Sequence, residues 1–206
     1  MTSSAAPARV PQEERTRAMR QRLLDATIEC LVEKGWSGTS TTLISERAGV
    51  SRGAQLHHFP TKNDLVIAAI EELWNKRDAE YRTALGSIPA GPERVRHVVE
   101  VLGEQFSSVM FEAALELWVA ARSDAALHAA VADLERKLGR ASHRLTVDAL
   151  GVDESVPGVR ELVQATLDLV RGLGLANTIT DDTARRRKIL DQWATTLDAA
   201  LKGLSL

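Results

Sequence analysis

The stretch AGVSRGAQLHHFPTK, residues 48–62, decides the fold expected for this chain. It begins with a small residue and a glycine, continues through a serine that can cap a helix, and ends just beyond a proline. Such a composition is typical of a tight turn between two short helices. From Arg47 to Asn63 the chain has no carboxylate, although the whole protein has a formal net charge of −2. A turn segment without negative charge suits an anionic partner.

The residues around this turn predict a helix-turn-helix. Thr39 or Ser40 should cap the second helix of the chain, and Gly49 should end it, since glycine tolerates a positive φ. Val50 should be an apolar plug in a small three-helix core. Ser51 should cap the third helix, which would leave backbone amides at its start free to face a phosphate.

The first residues of the third helix fit an approach to DNA. Arg52 lies at its tip, where a guanidinium can reach a phosphate or the edge of a guanine. Gly53 and Ala54 are small, so the backbone could come close to a duplex. The same spacing also occurs in solvated helical hairpins. The turn by itself therefore leaves both interpretations open.

The charge distribution supports an anionic partner for the front of the chain. Residues 1–62 hold nine Lys and Arg against six Asp and Glu, whereas residues 63–206 hold seventeen against twenty-two. No apolar run approaches the roughly 18–20 residues that a membrane span requires. The single cysteine, Cys30, excludes an intrachain disulfide. We expect no membrane association, and a cytoplasmic location as the default.

Helical spacing of apolar residues runs through nearly the whole chain and predicts an all-α fold. Residues 1–14 should be a disordered tail, residues 15–62 a helix-turn-helix domain, and residues 63–206 a second helical domain. A connecting helix should run over about 62–85. The Pro- and Gly-rich segments 87–92 and 151–158 break the second domain. Its other helices are expected at about 93–107, 110–122, 124–150, 159–178 and 182–203.

The run TSTTLISERAGVSRGAQLHHFPTKNDL, residues 39–65, resembles the signature of the tetracycline-repressor (TetR) family. The segment EKGWSGTS, residues 33–40, is also similar to the end of that family's first helix. The positions that match the signature are Ile44, Ala48, Gly49, Val50, Ser51, Gly53, His58, Phe59, Lys62 and Leu65. Gln55 and Leu56 depart from it, since they replace a leucine-tyrosine pair whose hydroxyl often reaches a phosphate.

The resemblance implies a ligand-responsive regulator, most simply a repressor. Two subunits would place their recognition helices in successive major grooves of a palindromic operator. A small apolar or amphipathic effector in the C-terminal domain would move helix four and release the double-stranded DNA. No cofactor is expected. The predicted DNA-binding residues are Thr41, Thr42, Ser51, Arg52, Gly53, Ala54, Gln55, His57, His58 and Lys62. Because Leu56 cannot make the tyrosine's contact, Gln55 or His57 should take it over, unless that contact is lost.

An apolar segment in the second domain is the candidate ligand pocket. Aromatic and Met side chains recur over residues 106–124, which suits either an ordinary core or an apolar cavity. The predicted pocket residues are Phe106, Met110, Phe111, Leu115, Trp118 and His143. A metal site at the adjacent His57 and His58 is not expected, because neighbouring helical residues point about 100° apart.

Stripes of apolar residues on the last two helices predict a dimer interface built as a four-helix bundle. The predicted interface residues are Leu169, Leu173, Leu190, Trp193, Leu197 and Leu201. The competing interpretation is that these stripes are buried within their own domain. For the whole chain, two alternatives remain open. One is a DNA-binding regulator without a small-molecule ligand, and the other is a helical dimer or enzyme with a vestigial DNA-binding domain.

Overall fold

The structure, a computed structural model, describes residues 12–204. It is all-α over this range, without a strand. The helices are α1 (Gln12–Gly38), α2 (Thr41–Ala48), α3 (Arg52–His58), α4 (Lys62–Gly86), α5 (Arg94–Gln105), α6 (Val109–Ala121), α7 (Ala125–Leu150), α8 (Val159–Asn177) and α9 (Thr183–Leu204). Most of the predicted tail, residues 1–11, lies outside the described range. Its last three residues, 12–14, are not tail but the first turn of α1.

The chain divides into two compact units within α4, between Glu72 and Leu73. The sequence placed this boundary earlier, after residue 62. The later division has a physical reason, because Leu65 and Ala69 of α4 are buried in the core of the first unit. That core otherwise consists of Leu23, Leu24, Ala26, Cys30, Ile44, Ala48, Val50 and Phe59.

Gly35 interrupts α1 within the segment 33–40 that resembles the end of the family's first helix. Its backbone has φ 64° and ψ −179°, which kinks the helix before a last turn that reaches Gly38. Trp36 is only half-buried and provides a surface on which Lys62 rests.

The second unit is built around α5, which packs against α7, α8 and α9, while α6 packs against α7. Close approach is possible because glycines stand at two contact points. A Cβ on Gly103 would lie 2.6 Å from Leu190 Cδ1, and a Cβ on Gly174 would overlap the backbone carbonyl of Phe106. The approach of α8 to Phe106 therefore depends on the missing side chain of Gly174, whereas at Gly103 the flexible end of Leu190 can move aside.

Four of the six residues predicted for the dimer interface are core residues of the second unit. Leu173, Leu190, Leu197 and Leu201 are at most 8% exposed and belong to one buried cluster. The prediction was wrong for these leucines, because an interface stripe and a core stripe have the same three-four spacing. Leu169 and Trp193 are only half-buried and pack at the edge of this cluster.

Candidate nucleic-acid interface and ligand cavity

The turn between α2 and α3 is held by side chains and backbone in the way that the sequence predicted. Ser40 Oγ accepts a hydrogen bond from the Leu43 amide at 3.1 Å, and Ser51 Oγ accepts one from the Ala54 amide at 3.3 Å. Gly49 adopts the left-handed conformation, with φ 61° and ψ 39°. Val50 is 8% exposed. The two helices thus begin and end at fixed points, which sets the direction of α3.

Several predicted DNA-binding residues lie together at the start of α3. Arg52 Nη1 donates to Thr42 Oγ1 at 3.0 Å and lies 3.5 Å from Thr41 Oγ1. Arg52, Gly53 and Thr42 are exposed, as is His57 further along the helix. The guanidinium of α3 and the two hydroxyls of α2 therefore form one donor-rich cluster that contains no carboxylate.

Gln55 corrects the prediction for the third helix. Its side chain is fully buried, and Nε2 donates to the Phe59 carbonyl at 2.5 Å. Placed inside the three-helix core, Gln55 cannot replace the missing tyrosine on a phosphate. Of the two candidates for that contact, only the exposed His57 remains available.

Two other predicted contact residues are partly used within the unit itself. His58 is half-buried, with its ring centroid 6.3 Å from that of Phe59 and 5.5 Å from that of His57. The Lys62 ammonium donates to the Trp36 carbonyl at 2.5 Å and lies 3.8 Å from the centroid of the indole. Burial lowers the pKa of Lys62. Lys62 therefore ties the start of α4 to the end of α1.

Arg47 shows that positive charge near the turn is not all free for a ligand. Its guanidinium donates to Glu33 at 2.7 Å and lies 3.8 Å from Glu29. This hydrogen bond lowers the pKa of Glu33. Arg47 thus pairs α2 with α1, whereas Arg52 has no acidic partner in the described part of the chain.

Leu56 of α3 was not among the predicted DNA-binding residues, but it lies at the same surface as Arg52. It is 43% exposed, one helical turn after Arg52, so both side chains lie on the same helix face. In the sequence this residue stands out only as a departure that loses a polar contact. An exposed leucine beside an arginine adds an apolar contact to that face.

A cavity of about 200 Å³ lies in the second unit, between the later part of α4 and the α5–α6 region. Trp74, Tyr81, Gln105 and Met110 contribute to its wall. Tyr81 Oη, Gln105 Oε1 and Asp78 Oδ1 are buried and have no hydrogen-bond partner. Burial raises the pKa of Tyr81 far above its ordinary value, so the phenol is neutral. Unpaired buried polar atoms around one cavity are what a polar ligand would satisfy.

The predicted pocket residues do not share one cavity. Met110 lines the cavity just described, whereas His143 lines a different one between α7 and α8. Phe106, Phe111 and Trp118 pack edge to face, with centroid separations of 5.4 and 5.9 Å, and are not part of the wall around Met110. Leu115 is half-buried and is likewise absent from that wall. Of the six predicted pocket residues only Met110 lines this cavity, and the sequence did not single out Trp74 or Tyr81.

Residues 12–204 contain neither a group of metal-ligating side chains nor a membrane-spanning helix. No three His, Cys, Asp or Glu side chains there are grouped so that they could hold a metal ion. No helix in that range has the length and apolar character needed to cross a membrane.

Comparison with known proteins places the turn in a recognised family. Residues 23–69 match the family model described as bacterial regulatory proteins, tetR family. The HTH-type transcriptional regulator CymR of Pseudomonas putida is 36% identical over 121 residues, which are 59% of this chain and 60% of that protein. An uncharacterized HTH-type transcriptional regulator of Mycobacterium bovis is 28% identical over 181 residues, 88% of each chain.

Solved structures extend the similarity to the whole fold. The crystal structure of a protein from Pseudomonas aeruginosa PAO1 superposes with a TM-score of 0.70 over 93% of this chain and 94% of its own, at 23% identity. The multidrug binding protein EbrR, solved in complex with imidazole, has a TM-score of 0.57 at 26% identity and covers 84% of this chain and 93% of its own. The fold is therefore the one that these solved structures share.

Proposed function

Because this chain belongs to the tetR family of bacterial regulatory proteins, we propose that it represses transcription as a dimer on a palindromic operator and is released by a small molecule. The chain is a transcriptional regulator with a helix-turn-helix DNA-binding domain and not an enzyme. The observation that carries the proposal is the exposed face of α3, where Arg52 stands beside two threonine hydroxyls and away from any carboxylate.

In this proposal the face of α3 enters the major groove. Arg52 binds a guanine edge or a phosphate, and Thr42 adds a hydroxyl contact from α2. Leu56 packs against a thymine methyl group, the one apolar feature of the major groove. This leucine then contributes sequence preference at a position where the family signature has a residue that binds the backbone.

The DNA-binding proposal is tested by fluorescence anisotropy on duplexes selected from a random pool by the protein itself. Arg52→Ala should weaken binding by about 1–3 kcal/mol and relax the preferred sequence. Arg122→Ala removes the same charge from an exposed position at the end of α6 and should leave binding unchanged. Affinity should fall steeply with salt. Selection of no sequence, or equal losses in the two variants, contradicts the proposal.

The role of Leu56 is tested by replacing thymines of the selected site with uracil, which lacks the methyl group. The wild-type protein should bind one uracil-substituted duplex more weakly, whereas Leu56→Ala should bind both duplexes alike. If the wild-type protein is insensitive to every such replacement, Leu56 does not contact a thymine methyl.

For the dimer, we propose the faces of α8 and α9 that adjoin the core stripes. At 100° per residue these faces carry small and apolar residues that the protomer leaves partly open. They are Leu162, Ala165, Leu169 and Ala176 on α8, and Ile189, Trp193, Thr196 and Ala200 on α9. A groove of about 340 Å³ runs between Leu169, Ile189 and Trp193. Two copies are needed because half-sites on DNA lie about 34–36 Å apart.

Leu169→Glu tests this interface, because the half-buried side chain can be changed without opening the core. Sedimentation velocity should show a monomer, and operator affinity should fall with it. Val119→Glu places the same charge on a residue that is 69% exposed on α6, and it should remain dimeric. A dimeric Leu169→Glu protein would place the interface elsewhere.

We propose the cavity around Tyr81 as the effector site. Its volume of about 200 Å³ suits one small ring, since an apolar cavity of about 150 Å³ holds benzene. Gln105 Oε1 and Asp78 Oδ1 only accept hydrogen bonds, so the effector must donate them. Asp78 is already paired with Arg82 at 2.7 Å, and the remaining Glu80 and Glu104 outnumber Arg77 around the cavity, which favours a neutral or cationic ring. Such an effector is amphipathic rather than purely apolar.

Imidazole, a small ring with an N–H donor, is the first probe, since the similar protein EbrR was solved with it. It should release the wild-type protein from its selected duplex. Tyr81→Phe should fold normally, because the lost hydroxyl has no partner, and should need at least about tenfold more imidazole. Equal sensitivity of both proteins rules out this cavity. Intact DNA binding that no ring compound of this class disturbs would favour a regulator without a small-molecule effector.

A further inference from the structure

A second cavity of about 510 Å³ lies between α7 and α8, within the second unit. Five arginines contribute to its wall against two glutamates, Glu135 and Glu154. The arginines are Arg136, Arg140, Arg144, Arg160 and Arg171. This concentration opposes the trend of residues 63–206, where Asp and Glu outnumber Lys and Arg by twenty-two to seventeen.

Most charged side chains around this cavity already have an ion-pair or hydrogen-bond partner. Two guanidinium groups have none within the described residues. Arg136 pairs with Asp133, and Arg171 pairs with Asp168 at 3.2 Å. Arg160 lies 3.4 Å from Glu154. Glu135 accepts the Trp118 indole N–H at 2.8 Å.

Arg140 and Arg144 are the two guanidinium groups that remain. Both are exposed, and neither has a hydrogen bond or ion pair to any other residue in the range 12–204. They stand four residues apart on α7 and so lie on the same helix face. Two unpaired positive charges therefore face one opening.

The wall of the cavity contains a polar group without a partner. Ser142 is 7% exposed, and its hydroxyl makes no hydrogen bond. The neighbouring His143, 6% exposed, is in contrast fully bonded, since Gln164 Nε2 donates to its Nδ1 at 2.6 Å and its Nε2 donates to Glu154 at 2.7 Å. Buried polar groups in proteins are nearly always paired. The free hydroxyl of Ser142 thus indicates a partner that comes from outside the chain.

We propose that this cavity binds the oxyanion group of a small organic molecule, a phosphate or a carboxylate. Arg140 and Arg144 supply the opposite charge, because guanidinium matches both groups with paired N–H donors. Ser142 lies two residues from each arginine and so about 160° around α7 from them, and its hydroxyl donates to another part of the same molecule. The volume lies within the range of roughly 300–1,000 Å³ typical of small-molecule sites, so the anion is carried by a larger molecule. This cavity and the one around Tyr81 have no wall residue in common.

Isothermal titration at fixed ionic strength tests the site without any DNA. The probes are inorganic pyrophosphate and citrate, and the tighter of the two distinguishes a phosphate from a carboxylate ligand. The double variant Arg140→Ala and Arg144→Ala should bind the preferred probe at least about tenfold more weakly, whereas Arg122→Ala should bind like the wild-type protein. Absence of heat with both probes, or an equal loss in Arg122→Ala, overturns the proposal.

Ser142→Ala separates a ligand contact from a structural role. It should weaken binding of the preferred probe several-fold while the unfolding temperature stays the same or rises, since an unpaired buried hydroxyl does not stabilise the fold. A lower unfolding temperature with unchanged probe affinity would show that the hydroxyl serves the fold, and would remove Ser142 from the proposed site.

Discussion

Gly174 offers a direct test of how α8 is packed. A methyl group at this position would overlap the backbone carbonyl oxygen of Phe106 and lie 2.9 Å from Phe111 Cε1. Ordinary contacts between carbon and a carbonyl oxygen are about 3.3–3.6 Å. Because the nearest obstacle is backbone rather than a flexible side chain, the junction between α5 and α6 must move to accommodate Gly174→Ala.

The expected loss follows from two opposing effects. Overpacking a close contact costs typically about 1–3 kcal/mol, and a clash with backbone belongs at the upper end of this range. Replacing glycine by alanine inside a helix returns about 0.5–1 kcal/mol. The net loss for Gly174→Ala should be about 2 kcal/mol, which lowers the unfolding temperature by about 4–8 °C in a chain of this length.

Gly139→Ala is the matched control, since Gly139 lies inside α7 and no neighbouring atom lies within 4 Å of the position that its new methyl group would take. Gly139→Ala should show only the stabilisation that alanine gives inside a helix, and should raise the unfolding temperature by about 1–4 °C. Calorimetry and circular dichroism on both variants measure the two shifts. If Gly174→Ala unfolds at or above the wild-type temperature, the close approach of α8 to Phe106 is refuted.

Three further outcomes are expected. Leu197→Ala should lower the free energy of unfolding by about 2–5 kcal/mol in urea titrations without producing monomers, while Thr195→Ala, at an exposed position of the same helix, should change little; a stable Leu197→Ala monomer would show that Leu197 belongs to the interface. Ser40→Ala should lose about 1 kcal/mol through the lost cap of α2, and an unchanged melting curve would contradict that cap. The hydrogen bond from His143 lowers the pKa of Glu154, so its stabilising contribution is full above the ordinary value of 4.5 and disappears as the pH falls through the lower folded-state pKa. Thermal unfolding of Glu154→Gln should therefore depend less on acid pH than that of the wild-type protein, and parallel curves would refute this.

The turn around α2 and α3 was predictable because its determinants are local. Ser40, Gly49 and Ser51 act through hydrogen bonds and dihedral angles within three or four residues, so the sequence specifies them directly. The ends of most helices followed from the same kind of signal. The family resemblance, carried by these residues, was confirmed by the comparisons.

The missed features depend on tertiary packing. Leu197 satisfies the same spacing whether its partner is its own core or a second subunit, and only the packing of α5 against α9 decides between them. Gln55 is polar yet buried, because the Phe59 carbonyl is available inside the core. Trp74 and Tyr81 share a helix face at a spacing of seven residues, a signal that could have suggested a cavity wall. Gln105 lies on α5, and its place in the same cavity wall depends on tertiary packing.

The hydrogen bond between Arg52 and Thr42 has a consequence for the entropy of recognition. A free arginine side chain samples many rotamers, and fixing it on binding costs up to about 2 kcal/mol. Here the guanidinium is already held at 3.0 Å by a residue of the preceding helix, so much of that ordering has taken place before any partner arrives. Affinity gained in this way comes from fewer lost degrees of freedom rather than from an added contact. Without the hydroxyl of Thr42, the Arg52 side chain would sample more rotamers before binding and would lose more conformational entropy when it binds.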